Sequence, residues 1–136
     1  MKFLDTGDLI EAPRFDIPRL HCAKYAVMAA KELSEANYIH GDAWDLGKKN
    51  KIVRDNFKSL IENVDLLIPN ETIVVFYNPF SLYNQRRRVG THAALYLGRN
   101  GDLYFAEQFN EKQRATSLRS IRRRFFKPKQ ILAPKG

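Results

Sequence analysis

Arg99-Asn100-Gly101-Asp102 stands between two apolar runs, His92 to Leu97 and Leu103 to Gln108. Asn-Gly readily takes the positive φ angles of a type I′ turn, so this tetrapeptide predicts a β-hairpin with a two-residue loop. With Asn100 and Gly101 as that loop, Gly98 faces Leu103, Tyr96 faces Phe105, Ala94 faces Glu107 and His92 faces Phe109. Opposed residues share a side of a sheet and alternate residues share a face, so His92 and Glu107 become diagonal neighbours. Gln108 then points the other way. A single β-bulge would reverse that choice.

The rest of the chain arranges itself around this hairpin. Its 136 residues suffice for one domain with an ordinary apolar core, and a single domain over 1–136 is expected. Residues 1–20, with Pro13 and Pro18, read as an irregular N-terminal arm. From Cys22 to about Ala36, the residues Cys22, Tyr25, Ala26, Ala29 and Leu33 fall on one stripe at helical spacing, which predicts a core-packed helix. Gly41 to Gly47 reads as a turn or a short helical piece, and 56–64 as a second helix with Phe57, Leu60, Ile61 and Val64 apolar. Strand periodicity follows at Thr72 to Tyr77, His92 to Leu97, Leu103 to Gln108 and Ile131 to Ala133, with a long polar loop from Asn78 to Val89. Residues 117–125 fit helix or coil. Helices before strands, without βαβ alternation, predict an α+β fold whose N-terminal helix packs on an antiparallel sheet.

The one cysteine, Cys22, opens the first helix. Unpaired N–H groups and the positive dipole end of a first turn favour thiolate over thiol. With His92 at the mouth of a strand and Glu107 on the next, the chain carries the nucleophile, base and orienting carboxylate of a Cys-His-Glu triad. A lone cysteine excludes an internal disulfide. The three histidines, His21, His40 and His92, lack the i,i+4 spacing of a helical metal pair, so no metal and no cofactor is expected.

Lys and Arg total 23 against 15 Asp and Glu, a net charge of +8. The excess lies after residue 85, in Arg86-Arg87-Arg88, Arg119, Arg122-Arg123-Arg124, Lys127 and Lys129. Such a surface suits a polyanionic partner: nucleic acid, an acidic wall polymer or an anionic lipid surface. Both Arg triplets read as solvated side chains acting at long range. Asp5 breaks the N-terminal apolar stretch, so no Sec-type signal is expected, and no apolar run reaches the length of a membrane span. The expectation is a protein made in soluble form.

Five segments in order resemble the CHAP and NlpC/P60 superfamily of papain-like cysteine amidases and endopeptidases. His21-Cys22-Ala23-Lys24-Tyr25-Ala26 looks like the nucleophile-bearing helix start, and Gly41-Asp42-Ala43-Trp44 resembles the Gly-Asn-Ala…Trp segment. Ile68-Pro69-Asn70-Glu71 before Thr72 to Phe76 resembles the Pro-Gly-Asp strand entry. His92-Ala93-Ala94-Leu95-Tyr96-Leu97-Gly98 is similar to His-Val-Gly-Ile-Tyr-Leu-Gly, and Ala106 to Asn110 to the Glu-Gln-Asn strand. The resemblance implies a papain-like domain that hydrolyses peptidoglycan peptide or amide bonds, with Cys22, His92 and Glu107 catalytic. It makes His21, where the family often has Gln or Asn, a candidate oxyanion donor. Trp44 becomes a candidate substrate platform, and Asn110, one position later than the family's Asn, a candidate second contact. It further implies action in the periplasm or cell wall, with delivery by a holin, a virion or a secretion machine. Two other readings remain open: a basic nucleic-acid-binding module with an inert Cys22, and a thiol acyltransferase or protease acting on proteins.

Overall fold

The computed structural model describes residues 11–18, 21–80 and 91–135. Six antiparallel strands form one mixed-length sheet: β1 Lys51–Asp55, β2 Ile73–Tyr77, β3 His92–Arg99, β4 Leu103–Phe109, β5 Lys112–Ser117 and β6 Lys127–Ala133. Their spatial order is β1-β6-β2-β3-β4-β5, with every neighbouring pair antiparallel. Among the described residues three helices accompany them, α1 Cys22–Ser34, α2 Leu46–Lys49 and α3 Leu118–Arg123, with a 3-10 turn at Ile61–Leu66. The fold is α+β, with α1 packed on the sheet.

Both faces of the sheet are buried, which is why β2 and β3 read as nearly continuous apolar runs. Tyr25, Ala26, Ala29 and Ala30 of α1 pack with Ile73, Val75, Ala93, Leu95 and Leu132 on one face. Small side chains on α1 let it lie close to those strands. On the other face Val74, Phe76, Ala94, Tyr96 and Phe105 meet Phe57, Leu60, Leu118 and Ile121. The arm, irregular over 11–18, is tied to the α1 side: the Tyr25 hydroxyl donates to the Pro13 carbonyl at 2.8 Å, and Gln113 brackets Phe15 with two 2.7 Å bonds.

The hairpin differs from expectation at its tip. Arg99 pairs with Leu103, so the loop has three residues, Asn100, Gly101 and Asp102, closed by the Asn100 N–H on the Asp102 carbonyl. Gly101 takes φ 77°, the left-handed conformation such a loop needs. Asp102 is held in the loop because its carboxylate accepts from the Leu103 amide and, at 3.0 Å, from the Arg119 amide of α3. The extra residue is undone two pairs later, where the register shifts between Tyr96 and Gly98. Beyond that bulge Tyr96 faces Phe105 and Leu95 faces Ala106, the predicted register. Two departures cancel, and the face of Glu107 is preserved.

Other corrections are local. The helix expected over 56–64 is a 3-10 turn at Ile61–Leu66, preceded by the strand β1. α1 ends at Ser34, where Glu35 turns left-handed at φ 61°. Residues 117–125 contain α3, capped by the Ser117 hydroxyl on the Ser120 amide. The strand expected at 131–133 begins at Lys127. Part of the Asn78 to Val89 loop, with Arg86-Arg87-Arg88, lies outside the described residues, as do 1–10 of the arm. Among the described residues no helix is long and apolar enough to cross a membrane.

Candidate active site

His92 is the first residue of β3 and lies 2 % exposed among rings. Phe126 stacks on its imidazole at 4.9 Å and 22°, and Phe109 meets it edge-on at 5.9 Å. Glu107, fully buried on β4, holds the Nε2 edge through Oε1 at 2.6 Å. The Cys22 thiol is the other group coupled to this imidazole: each shifts the titration of the other, while Nε2 is engaged by the carboxylate. His92 therefore stands between sulfur and carboxylate.

Each side chain arrives for a local reason. Cys22 is the first residue of α1, so its sulfur sits where the helix leaves amides unpaired. It is half-buried against the start of β3, its Sγ donating to the Thr91 carbonyl oxygen at 3.9 Å, and the backbone at Ala23 and Ala93 favours its ionised form. Glu107 faces His92 by strand parity. Gln108 faces the opposite side, donating to the Pro18 carbonyl at 2.7 Å and accepting from Gln113 at 2.8 Å.

A fourth residue belongs to the cluster. The Arg124 guanidinium donates from Nη2 to both Glu107 oxygens, at 2.8 and 2.6 Å, and its Cζ lies 4.0 Å from the Phe109 ring centroid. Arg124 is thus not one more solvated member of a triplet, although Arg122 and Arg123 are exposed. Nothing in Arg122-Arg123-Arg124 marks the third as different. Its position comes from α3, anchored by buried Leu118 and Ile121, and from Phe125, which takes a left-handed φ of 65°. That conformation costs roughly 1–2 kcal/mol for a residue with a Cβ. It throws Phe125 outward, 60 % exposed, and leaves both Arg124 and Phe126 against the cluster.

The electrostatics follow from these neighbours. Burial pushes the Cys22 thiol up, but the hydrogen bond and charge of His92 outweigh it, and the thiol lies below its ordinary range. Burial alone would lower His92, yet Cys22 and Glu107 raise it to about 9. Burial likewise opposes ionisation of Glu107, and His92 with Arg124 brings its carboxyl down to about 2. These shifts favour a thiolate beside an imidazolium, backed by a carboxylate and a guanidinium. Iodoacetamide should therefore alkylate Cys22 with a pH midpoint below the value of about 8.5 for a free thiol. In His92→Ala, with the lowering charge gone and burial remaining, labelling at pH 6 should fall by about tenfold or more. A wild-type midpoint at the free-thiol value would refute the ion pair.

The other candidates stand apart. His21 precedes α1 as its N-cap residue, exposed, with no side-chain capping bond. Trp44 is 45 % exposed in the turn before α2, with the Lys48 ammonium 5.2 Å over its ring. Asn110 turns the chain from β4 to β5 at φ 57°, exposed, and so serves the turn. Among the described residues no group of three His, Cys, Asp or Glu is arranged to hold a metal ion. Compared with known proteins, the chain matches no family model, no curated protein and no solved structure.

Proposed function

We propose that this chain is a cysteine peptidase or amidase of the NlpC/P60 and CHAP type, with a papain-like catalytic domain acting on peptidoglycan peptide or amide bonds. The observation that carries the reading is His92, hydrogen-bonded to buried Glu107 and coupled to a helix-start thiol whose ionisation it favours. In this chemistry the Cys22 thiolate attacks the carbonyl carbon and forms a C–S bond. The oxyanion collapses, the C–N bond breaks, and His92 gives its proton to the departing nitrogen. Water, deprotonated by neutral His92, attacks the thioester; the C–S bond breaks and the thiolate returns. Glu107 keeps the imidazole oriented and supports its charge throughout.

An anionic substrate is supported by what surrounds the cluster. Phe126, stacked on His92, also lines a cavity of about 460 Å³ whose rim carries Lys58, Arg122 and Lys127. Its lining includes no Asp or Glu, and none of these three cations is in an ion pair among the described residues. An anionic wall polymer would meet positive charge one ring away from the imidazole.

Digestion of purified sacculi, with mass analysis of the soluble fragments, tests the reading. New amino termini or freed lactyl groups, absent with Cys22→Ala, are expected. Tight salt-sensitive binding to DNA without wall cleavage would favour the nucleic-acid module instead, and acyl transfer to an amine without wall cleavage the acyltransferase. Exposed Arg119 and Arg123 should act only through their field, screened over about 8 Å at physiological ionic strength. Replacing both by Ser is expected to weaken retention on sacculi and flatten its salt dependence, with turnover of a small muropeptide within about twofold of wild type. Undiminished retention would remove these arginines from the wall-binding surface.

A further inference from the structure

We infer that Arg124 is a positioning residue of the site: through Glu107 it supplies the positive charge that allows the Cys22 and His92 ion pair to exist in a buried place. This rests on the thiol-hydrolase reading above and extends it from three residues to four.

Charge balance is the first reason. Thiolate, imidazolium, carboxylate and guanidinium alternate in sign and sum to zero. Without Arg124 the remaining three carry one net negative charge, in a setting where Glu107 is fully buried and His92 nearly so. A low-dielectric site relieves uncompensated charge by taking up a proton, and the half-buried thiolate is the most basic anion present.

Geometry is the second reason. One guanidinium nitrogen contacts both carboxylate oxygens, which leaves Glu107 a single orientation, with Oε1 shared between Arg124 and His92. The guanidinium lies against the rings of Phe109 and Phe126, the same two rings that contact the imidazole. The left-handed Phe125 is what lets Arg124 and Phe126 both face inward, and such an unfavourable conformation persists only where its surroundings demand it. The charged and titratable groups facing Cys22 are then His92 from β3, Glu107 behind it from β4 and Arg124 behind that from the end of α3. Arg14 of the arm adds a more distant positive charge, felt with that of Glu107 at buried Tyr25 of α1.

The test is the pH dependence of Cys22 alkylation by iodoacetamide in the full chain, which needs no substrate. Wild type reports on the reading itself: a midpoint at the free-thiol value overturns the ion pair, and this inference with it. Given a lowered wild-type midpoint, Arg124→Gln is expected to raise it by about 1–2 pH units, the size of effect one nearby opposite charge exerts. Labelling at pH 6 then falls by about tenfold or more, while labelling above pH 10 is unchanged. Arg124→Met keeps an apolar chain against the two rings and serves if the Gln variant does not fold; its midpoint is expected to rise equally. Arg124→Lys returns the charge and is expected to recover at least half of the shift. In the Glu107→Gln background, Arg124→Gln is expected to add little, because its effect passes through the carboxylate. A folded neutral variant with the wild-type midpoint overturns the inference and leaves the triad standing.

Discussion

Cys22→Ala is expected to abolish cleavage of sacculi while leaving the protein folded. In the proposed mechanism the thiolate forms the covalent bond to the acyl carbon, and the chain has no second thiol to replace it, so the loss should be on the order of 10⁴-fold or more. Cys22→Ser should be nearly as inactive. A hydroxyl keeps the shape but not the acidity, and the imidazole cannot hold it as an alkoxide. Stability should change by about 1 kcal/mol or less, because the side chain is small and only half-buried, at the edge of the packed face in the first turn of α1. The Ala variant also frees His92 of its thiolate partner, so its imidazole should titrate lower than in wild type. Turnover assays and thermal melts on the same preparations give both quantities. Activity within tenfold of wild type, in a protein freed of contaminating hydrolase, would remove Cys22 from the chemistry.

The parts of the site that could be read from the sequence are those fixed by local rules. The alanine-rich run after Cys22 marks a close-packed helix, and Cys22 lies at its start, so the environment of its sulfur follows from helix geometry. The alternation through β3 and β4 puts His92 and Glu107 on one face. That conclusion survived an error in its premises. The loop gained a residue because the Asp102 carboxylate engages α3, a long-range contact, and the bulge near Gly98 restored the register. Neither is visible in a hairpin signal considered alone. β1 and β5 were not legible for another reason: as edge strands, Lys51–Asp55 and Lys112–Ser117, they are rich in charged and polar residues and carry no apolar alternation. Charged edges of this kind discourage pairing with other chains. Arg124 was hidden most completely. Its role depends on where α3 docks and on the left-handed turn at Phe125, and a bulky aromatic in that conformation has no sequence signature. Trp44, the candidate substrate platform, is exposed, and its ring is covered in part by Lys48.

Glu107→Gln and Gln108→Ala should separate catalysis from stability in adjacent residues. In Glu107→Gln the side chain keeps its size but loses the charge that supports the imidazolium, and its amide nitrogen can favour the wrong His92 tautomer. Turnover is expected to fall by roughly 10²-fold or more. The same substitution alters acid stability in a definite sense. The Glu107 carboxyl titrates near 2 in the folded protein and near 4.5 when unfolded, so the stability it contributes is present above about 4.5 and lost as pH falls towards 2. The Gln variant should be less stable than wild type at pH 6, with Arg124 left facing a neutral partner, and the gap should narrow by pH 3. Gln108→Ala does the reverse. It removes the bonds to the Pro18 carbonyl and from Gln113, which hold the arm to β4, and leaves that carbonyl without its donor. A stability loss of about 1–3 kcal/mol is expected at every pH, with turnover within about threefold of wild type at a temperature where the variant is folded. Urea unfolding at pH 3 and pH 6, with turnover measured on the same samples, resolves the two. If Gln108→Ala is the variant that loses turnover, the imidazole takes its orientation from the other face of β4, and the Glu107 and Arg124 pair is an ion pair of the core.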